Sequence, residues 1–115
     1  MSDEGFEEVN ILRKDAPDIV FSGKLIAYAD NKEEQEQNAK RSSDRWTELA
    51  VYQLEGGDWV ACALACSDKP GEVDFGDATI IPANDPHAAM TFFEWTWLAK
   101  KLAHRAGWDV REQLL

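Results

Sequence analysis

Two stretches rich in β-branched, aromatic and small apolar residues, 45–54 and 59–67, flank the tetrapeptide EGGD at 55–58. Strand-forming residues on both sides of a Gly-Gly pair are typical of a β-hairpin, because glycine reaches the positive φ angles of a tight turn without steric cost. The pattern therefore predicts a hairpin over 45–67 at the centre of the fold.

A two-residue turn at Gly56 and Gly57 would place Leu54 opposite Trp59 and so fix the hairpin register. One face would then carry residues of core type: Leu49, Val51, Val60, Cys62 and Leu64. The other face would carry large side chains: Trp46, Tyr52, Leu54 and Trp59. Because Trp and Tyr dominate the energetics of protein interfaces, we expect Trp46, Tyr52 and Trp59 to anchor a partner.

Further strands are predicted on both sides of the hairpin. Alternation of apolar and polar positions indicates a strand at 19–28, and β-forming residues indicate shorter strands at 6–12 and 78–81. The segment 30–45 is polar apart from Ala39. It is therefore expected to form a mobile polar loop or a short solvated helix and to contribute nothing to the core.

One long helix is predicted over about 86–106. Asp85 has a good N-cap side chain, Pro86 suits the first helical position, and Gly107 suits the helix end. On a helical projection, the main apolar stripe of this helix consists of Phe92, Trp95, Ala99, Leu102, Ala103 and Ala106. We expect this stripe to pack across the sheet.

Three apolar residues lie off that stripe: Met90, Phe93 and Trp97. Since a sheet covers only one stripe of a helix, this second stripe needs another cover. Packing against the chain ends is one interpretation, and contact with a partner or self-association as a homodimer is the other. A second, short helix is expected after Asp109, because Asp109 and Glu112 have the spacing of a capping box.

Together these elements predict one α+β domain over 1–115: a small antiparallel sheet of four or five strands, packed by one long helix and followed by a short C-terminal helix. The length agrees with this, because two independent cores within 115 residues would each be too small to be stable. Residues 1–5 are expected to be disordered.

Acidic residues outnumber basic residues 22 to 12, which gives a net charge of −10. The excess lies in residues 1–85, with 19 acids and 8 bases, whereas residues 86–115 carry 3 acids and 4 bases. Such a field repels phosphate, so direct binding to nucleic acid or to a membrane is not expected. A basic protein surface is the expected partner. The candidate contact carboxylates are Glu33, Glu34, Glu36, Asp68, Glu72, Asp74 and Asp77.

Motifs for catalysis or cofactor binding are missing from the sequence. There is no Gly-rich phosphate loop and no GxSxG elbow, and the acids at 68–77 do not follow EF-hand spacing. Cys62 and Cys66 fall in one predicted strand, about 13 Å apart, which is too far for a disulfide and lacks zinc-site spacing. We predict no catalytic residue, no cofactor and no metal. His104 is interpreted as a surface residue, and His87 as a helix-capping or exposed residue.

The longest apolar run, 59–66, has eight residues, whereas a helix needs about 20 to cross a bilayer. The first residues are acidic and do not form the basic and apolar regions of a secretory signal. A cytoplasmic protein is therefore expected.

Several segments resemble known groups of proteins. GFEEVNI at 5–11, FSGKLIAY at 21–28 and ELAVYQLEGGDWV at 48–60 resemble the core of the small bacterial EXLDI proteins, although the chain lacks their terminal E-x-L-D-I sequence. RWTELAVYQLEGGDWV at 45–60 and FFEWTWLAKKLAHRAG at 92–107 also resemble short proteins carried on plasmids and other mobile elements. This resemblance implies a mobile-element or phage setting.

Charge and setting together predict a protein-binding inhibitor or adaptor. In a mobile element this would be a counter-defence protein of the anti-CRISPR or anti-restriction type, whose carboxylates mimic nucleic-acid phosphates in a basic groove. Two alternatives stay open. One is an immunity protein or antitoxin that blocks a toxin, and the other is a homodimeric structural or regulatory protein.

Overall fold

The fold is described from a computed structural model, which defines residues 5–38 and 45–112. In these residues the elements are β1 (Glu7–Ile11), β2 (Ile19–Asp30), α1 (Lys32–Asn38), β3 (Arg45–Leu54), β4 (Trp59–Ser67), β5 (Phe75–Ile81), α2 (Pro86–Phe92) and α3 (Trp97–Ala106). The strands lie close to their predicted positions, and α1 is the short helix that was one of the two interpretations of the polar segment. The predictions for residues 1–4 and 39–44 lie outside the described residues.

The central hairpin is present, but its predicted register is wrong by one residue. Gly57 donates its backbone N–H to the Leu54 carbonyl at 2.9 Å, and Leu54 donates to the Asp58 carbonyl at 2.8 Å. The connection is therefore a three-residue loop with a bulge at its last residue. Gly57 occupies that bulge position with a φ of 102°, which glycine adopts without strain.

Because of this shift of one residue, each side chain of β4 lies on the face of the sheet opposite to the one predicted. Gln53 is paired with Trp59 and Val51 with Ala61, so Trp59 lies on the same face as Leu49 and Val51. A slip of one residue moves every side chain of a strand to the opposite face. Trp59, predicted to face solvent, is therefore buried with only 6% of its surface exposed.

All five strands are antiparallel neighbours, in the order β1-β2-β3-β4-β5. An irregularity between Leu25 and Ala27 bends β2, whose first part pairs with β1 and whose second part pairs with β3. The curl brings the edge strands together, and Gly76 donates its N–H to the Leu12 carbonyl at 2.9 Å. A side chain at Gly76 would collide with the Ala63 carbonyl of β4, so the pairing of β5 with β4 requires glycine at this position.

The curled sheet encloses a small inner core to which all five strands contribute. Its buried residues are Ile11, Ala50, Val60 and Cys62. Phe21 and Tyr52 pack at its margin with ring centroids 5.4 Å apart in an edge-to-face arrangement. Burial of these apolar side chains stabilises the curl.

The outer face of the sheet is covered by α2 and α3. Its buried residues are Ala27, Ala29, Leu49, Val51, Trp59, Ala61 and Ile81. The two helices and Phe93, the residue that follows α2, contribute to the same core: Ala89, Met90, Phe93, Leu98, Ala99, Leu102 and Ala103. Small alanine side chains on β2 and α3 let the helix approach the strand closely.

The single long helix predicted over 86–106 is wrong. After α2 the backbone turns, and Glu94 and Trp95 have positive φ angles of 64° and 56°. A new helix, α3, then begins with Thr96 as its N-cap, because the Thr96 side chain accepts the Ala99 N–H at 3.2 Å. The fold is thus a five-stranded curled sheet with short helices only.

Local propensity and burial both explain this break. The sequence TFFEWTW at 91–97 is rich in β-branched and aromatic residues, which are weaker helix formers. A straight helix of the predicted length would extend about 31 Å and present two apolar stripes to one sheet. The turn instead places Met90 and Phe93 in the same core as Leu102, so that two of the three residues of the predicted second stripe are covered within the chain. Trp97 lies outside, 54% exposed.

The short C-terminal helix predicted after Asp109 is also absent from the described residues. α3 ends at Gly107, and residues 108–112 have no helical structure. The Asp109 carboxylate accepts the backbone N–H of Arg111 at 3.2 Å and two guanidinium contacts at 2.9 and 3.0 Å. Its oxygens therefore close a local turn and do not cap a helix.

Candidate protein-binding surface

Four segments meet at one end of the sheet: the end of β2, α1, the start of β3, and the stretch from the end of β4 to residue 74. Side-chain contacts join them, since Lys32 of α1 lies 3.6 Å from Asp68 and Arg45 of β3 lies 2.8 Å from Glu72. We call this region the acidic end. Its carboxylates are Asp30, Glu33, Glu34, Glu48, Asp68, Glu72 and Asp74.

Trp46 is the aromatic residue of the acidic end, half-buried on β3. Its indole N–H donates to the Glu48 carboxylate at 2.9 Å. The Lys32 ammonium lies 4.4 Å from the ring centroid, within the range of a cation–π contact. These two contacts fix the orientation of the ring.

Lys101 connects α3 to the acidic end. Its ammonium donates to the Glu34 carboxylate at 2.7 Å and to the Asp30 backbone carbonyl at 2.9 Å. The hydrogen bond from Lys101 is the main cause that lowers the pKa of Glu34 below its ordinary value. Glu34 is therefore ionised at neutral pH, and α1 is attached to the helical layer.

Arg45 and Ser67 together orient Glu72. The Arg45 guanidinium donates to one oxygen of Glu72 and the Ser67 hydroxyl donates to the other. These hydrogen bonds, that of Arg45 first, lower the pKa of Glu72 to about 2. The backbone N–H of Ser67 donates to Asp74 at 3.0 Å, which brings a second carboxylate to the same place.

Asp30 and Glu48 are directly opposite each other on β2 and β3. The Tyr28 hydroxyl donates to Asp30 at 2.9 Å, and the backbone N–H of Lys32 donates to the other oxygen of Asp30 at 3.1 Å. Burial, and then the two carboxylates, raise the pKa of Tyr28 well above its usual range. A negative potential is thus concentrated between the two strands.

The two cysteine thiols are buried and free. Burial raises the pKa of Cys62 to about 12, and burial with the nearby Glu48 and Asp74 raises the pKa of Cys66 to about 12. Both side chains are therefore protonated thiols at neutral pH, which makes them weak nucleophiles. Within residues 5–38 and 45–112, no group of three or more His, Cys, Asp or Glu side chains is placed to hold a metal ion.

Two of the three predicted aromatic anchors lie away from the acidic end. Trp59 is buried in the outer core and stacks on Trp108, with ring centroids 5.4 Å apart. Tyr52 packs against Phe21 at the inner core. Of the three, only Trp46 is placed beside the predicted carboxylates.

Other predicted contact residues are dispersed. Asp77 lies on β5, 3.7 Å from Arg13, and is not part of the acidic end. The Glu36 side chain lies outside the described residues. Met90 and Phe93 are buried in the outer core, so of the predicted self-association stripe only Trp97 is exposed.

The sequence did not predict five residues of this surface: Tyr28, Asp30, Lys32, Glu48 and Lys101. Asp30 and Glu48 come together only because β2 pairs with β3 in this register, which no local sequence pattern specifies. The sequence did contain one signal. Side chains alternate between the two faces of a strand, so Trp46 and Glu48, two residues apart on β3, lie on the same face.

No protein-family model, curated protein or solved structure matches this chain. The resemblance to EXLDI proteins therefore stays a prediction. No helix among the described residues has the length and apolar character needed to cross a membrane.

Proposed function

We propose that this chain binds a basic surface of another protein through its acidic end and acts as an inhibitor or adaptor. The observation that carries this proposal is the placement of Asp30 opposite Glu48. Like charges directly opposite each other destabilise a sheet. A sequence that breaks such a local rule commonly does so at a functional site. A cation from a partner would relieve the repulsion.

The charge balance of the acidic end supports a basic partner. Seven carboxylates lie there, and the basic residues beside them in the described segments are Lys32, Arg45, Lys69 and Lys101. Among the described residues of the acidic end, carboxylates therefore outnumber basic side chains by seven to four. Clustered charge of one sign steers association with a surface of the opposite sign.

Trp46 gives this surface an apolar contact beside the charges. Half-buried and already oriented by Lys32 and Glu48, it would lose little conformational freedom on binding. Tryptophans in such positions are common anchors of protein interfaces. The combination of an oriented ring and clustered carboxylates suits a protein surface better than a small molecule.

The partner that we propose is a nucleic-acid-binding protein whose basic groove the carboxylates would occupy in place of phosphates. Together with the mobile-element setting implied by the sequence resemblance, this makes a counter-defence role, of the anti-CRISPR or anti-restriction type, our proposed biological function. Competition provides a direct test: the chain should displace nucleic acid from its partner.

The contact surface is tested with two variants that change the net charge equally. The site variant combines Asp30→Asn, Glu48→Gln and Asp74→Asn. The control variant carries three substitutions of exposed acids in the hairpin loop and in the turn between α2 and α3: Glu55→Gln, Asp58→Asn and Glu94→Gln. Partners are captured from cells that carry the gene, and the affinity of each purified partner is measured for all three proteins.

We expect the site variant to bind at least about tenfold more weakly, and the control variant to bind within about twofold of the original chain. Removing like-charge repulsion should leave the site variant folded and at least as stable as the parent. The association rate should also fall as ionic strength rises. Equal loss of binding in both variants would show that only the overall charge matters, and the proposed surface would be wrong.

A further inference from the structure

A groove of about 970 Å³ lies between α2, α3 and the segment that follows α3. Its lining residues include both histidines of the chain, two tryptophans and two further basic residues: His87, Trp95, Lys100, His104, Trp108 and Arg111. None of these belongs to the acidic end. The lining also includes two acidic residues, Asp109 and Glu112, so the groove is mixed in charge and differs from the acidic end mainly in its histidines and tryptophans.

The backbone at the groove is strained. Trp95 adopts a φ of 56°, in the left-handed region that bulky side chains rarely occupy. A chain that needed only a turn here would be served by glycine. The left-handed backbone instead directs the Trp95 ring against His87, with ring centroids 4.7 Å apart and an angle of 67° between the planes. Strain of this kind is concentrated at ligand-binding sites.

Trp108 forms a second aromatic wall. Trp59 stacks on it at 5.4 Å with an angle of 16° between the planes, so the ring is supported from the outer core. A concave site with aromatic walls and a few polar groups is the usual form of a small-molecule site. The two tryptophans thus favour a ligand with a flat ring.

The α3 side of the rim, where Lys100 and His104 lie one helical turn apart, favours a negative charge on that ligand, whereas Asp109 and Glu112 are the acidic residues of the lining. Lys100 and His104 are exposed on α3, and Arg111 lies on the segment that follows it. Arg111 is engaged by the Asp109 carboxylate through contacts of 2.9 and 3.0 Å. A guanidinium in this arrangement can exchange its internal carboxylate for an anionic group of a ligand.

We propose that this groove binds a small molecule that joins a planar aromatic ring to an anionic group. The ring would contact Trp95 and Trp108, and the anionic group would lie near Lys100, His104 and Arg111. Nucleotides and aromatic carboxylic acids share this chemistry. The site is independent of the protein-binding surface, so either proposal can fail without the other.

The test uses the indole N–H signals of the five tryptophans as probes. The ¹⁵N-labelled chain is titrated with AMP and, separately, with indole-3-carboxylate. Adenosine supplies the ring without the charge, and inorganic phosphate supplies the charge without the ring. We expect saturable shifts of the Trp95 and Trp108 signals, unchanged Trp46 and Trp97 signals, and at least about tenfold weaker binding of adenosine and phosphate. The tighter of the two anionic compounds identifies the class of ligand.

Two exposed substitutions test the rim. Lys100→Ala should weaken binding of the anionic compound about fivefold or more, whereas Lys24→Ala, on β2 and outside the groove, should not. Asp109→Asn should strengthen binding about threefold, because it releases Arg111. The proposal is overturned if neither anionic compound shifts the Trp95 and Trp108 signals saturably below about 10 mM, or if Lys100→Ala and Lys24→Ala have equal effects.

Discussion

At the scale of single residues, Trp59 stacks on Trp108 in the outer core, with ring centroids 5.4 Å apart. Trp59 is 6% exposed, so its removal would leave a cavity beneath the helices. Trp59→Ala is expected to lower the free energy of unfolding by about 3–5 kcal/mol, measured by urea denaturation. Trp97→Ala is the matched control: Trp97 is 54% exposed, and its replacement should change stability by about 0.5 kcal/mol or less. Similar losses in both variants would contradict the assigned burial.

Glu94 provides a second residue-scale prediction. Its φ of 64° lies in the left-handed region, and the side chain is exposed. Glu94→Gly should therefore raise the free energy of unfolding by about 0.5–1 kcal/mol, because glycine adopts this conformation without strain. Lys100→Gly, in the interior of α3, should instead lower it by about 1 kcal/mol. Thermal unfolding of the two variants checks the sign, and a loss of stability in Glu94→Gly would show that the turn is not strained.

At the scale of elements, the strands could be predicted from the sequence, whereas two details of their arrangement could not. The alternation of apolar residues and the Gly-Gly pair located β2, β3 and β4 correctly. The same Gly-Gly pair is compatible with both a two-residue and a three-residue loop, so it does not decide the register. Trp59 was assigned to the wrong face for this reason.

The helical region shows a similar limit. The pattern at 86–106 contains apolar residues at helical spacing, a good N-cap and a good C-terminal glycine, and these features are equally consistent with one helix or with two. Burial decides between them, because the turn at Glu94 and Trp95 lets Met90 and Phe93 enter the same core as Leu102. This burial of apolar side chains depends on where the sheet lies, and no local sequence pattern gives the position of the sheet.

The hairpin loop offers a test of its observed geometry. Gly57 has a φ of 102°, whereas Gly56 does not have a positive φ, and a methyl group at either position would meet no atom within 4 Å. Gly57→Ala should therefore lower the free energy of unfolding by about 1–2 kcal/mol through backbone strain alone. Gly56→Ala should be neutral or slightly stabilising. Equal effects, measured by denaturant unfolding, would favour the two-residue turn that the sequence suggested.

At the scale of the whole molecule, the acidic end exists because distant segments converge. The sequence identified the carboxylates of α1 and of the segment after β4, and their excess of negative charge, but not their contact with Asp30 and Glu48. The register that joins β2 to β3 creates that contact. His87 and His104 are both exposed, in agreement with the sequence interpretation, but the sequence did not indicate that they line one groove.

The ion pairs that connect these segments predict how stability depends on pH. Arg45 and Ser67 lower the pKa of Glu72 from its ordinary 4.5 to about 2. A carboxylate with a depressed pKa contributes stability that is fully present above its ordinary pKa and is lost as the pH falls through the depressed value. Glu72→Gln should therefore be less stable than the parent above about pH 4.5, and this difference should shrink between about pH 4.5 and pH 2. Arg45→Gln should also reduce the pH dependence of stability, because it removes the guanidinium that lowers the pKa of Glu72. Urea denaturation across this range measures both variants, and a difference that stays constant with pH would mean that the Glu72 pKa is not depressed in the folded chain.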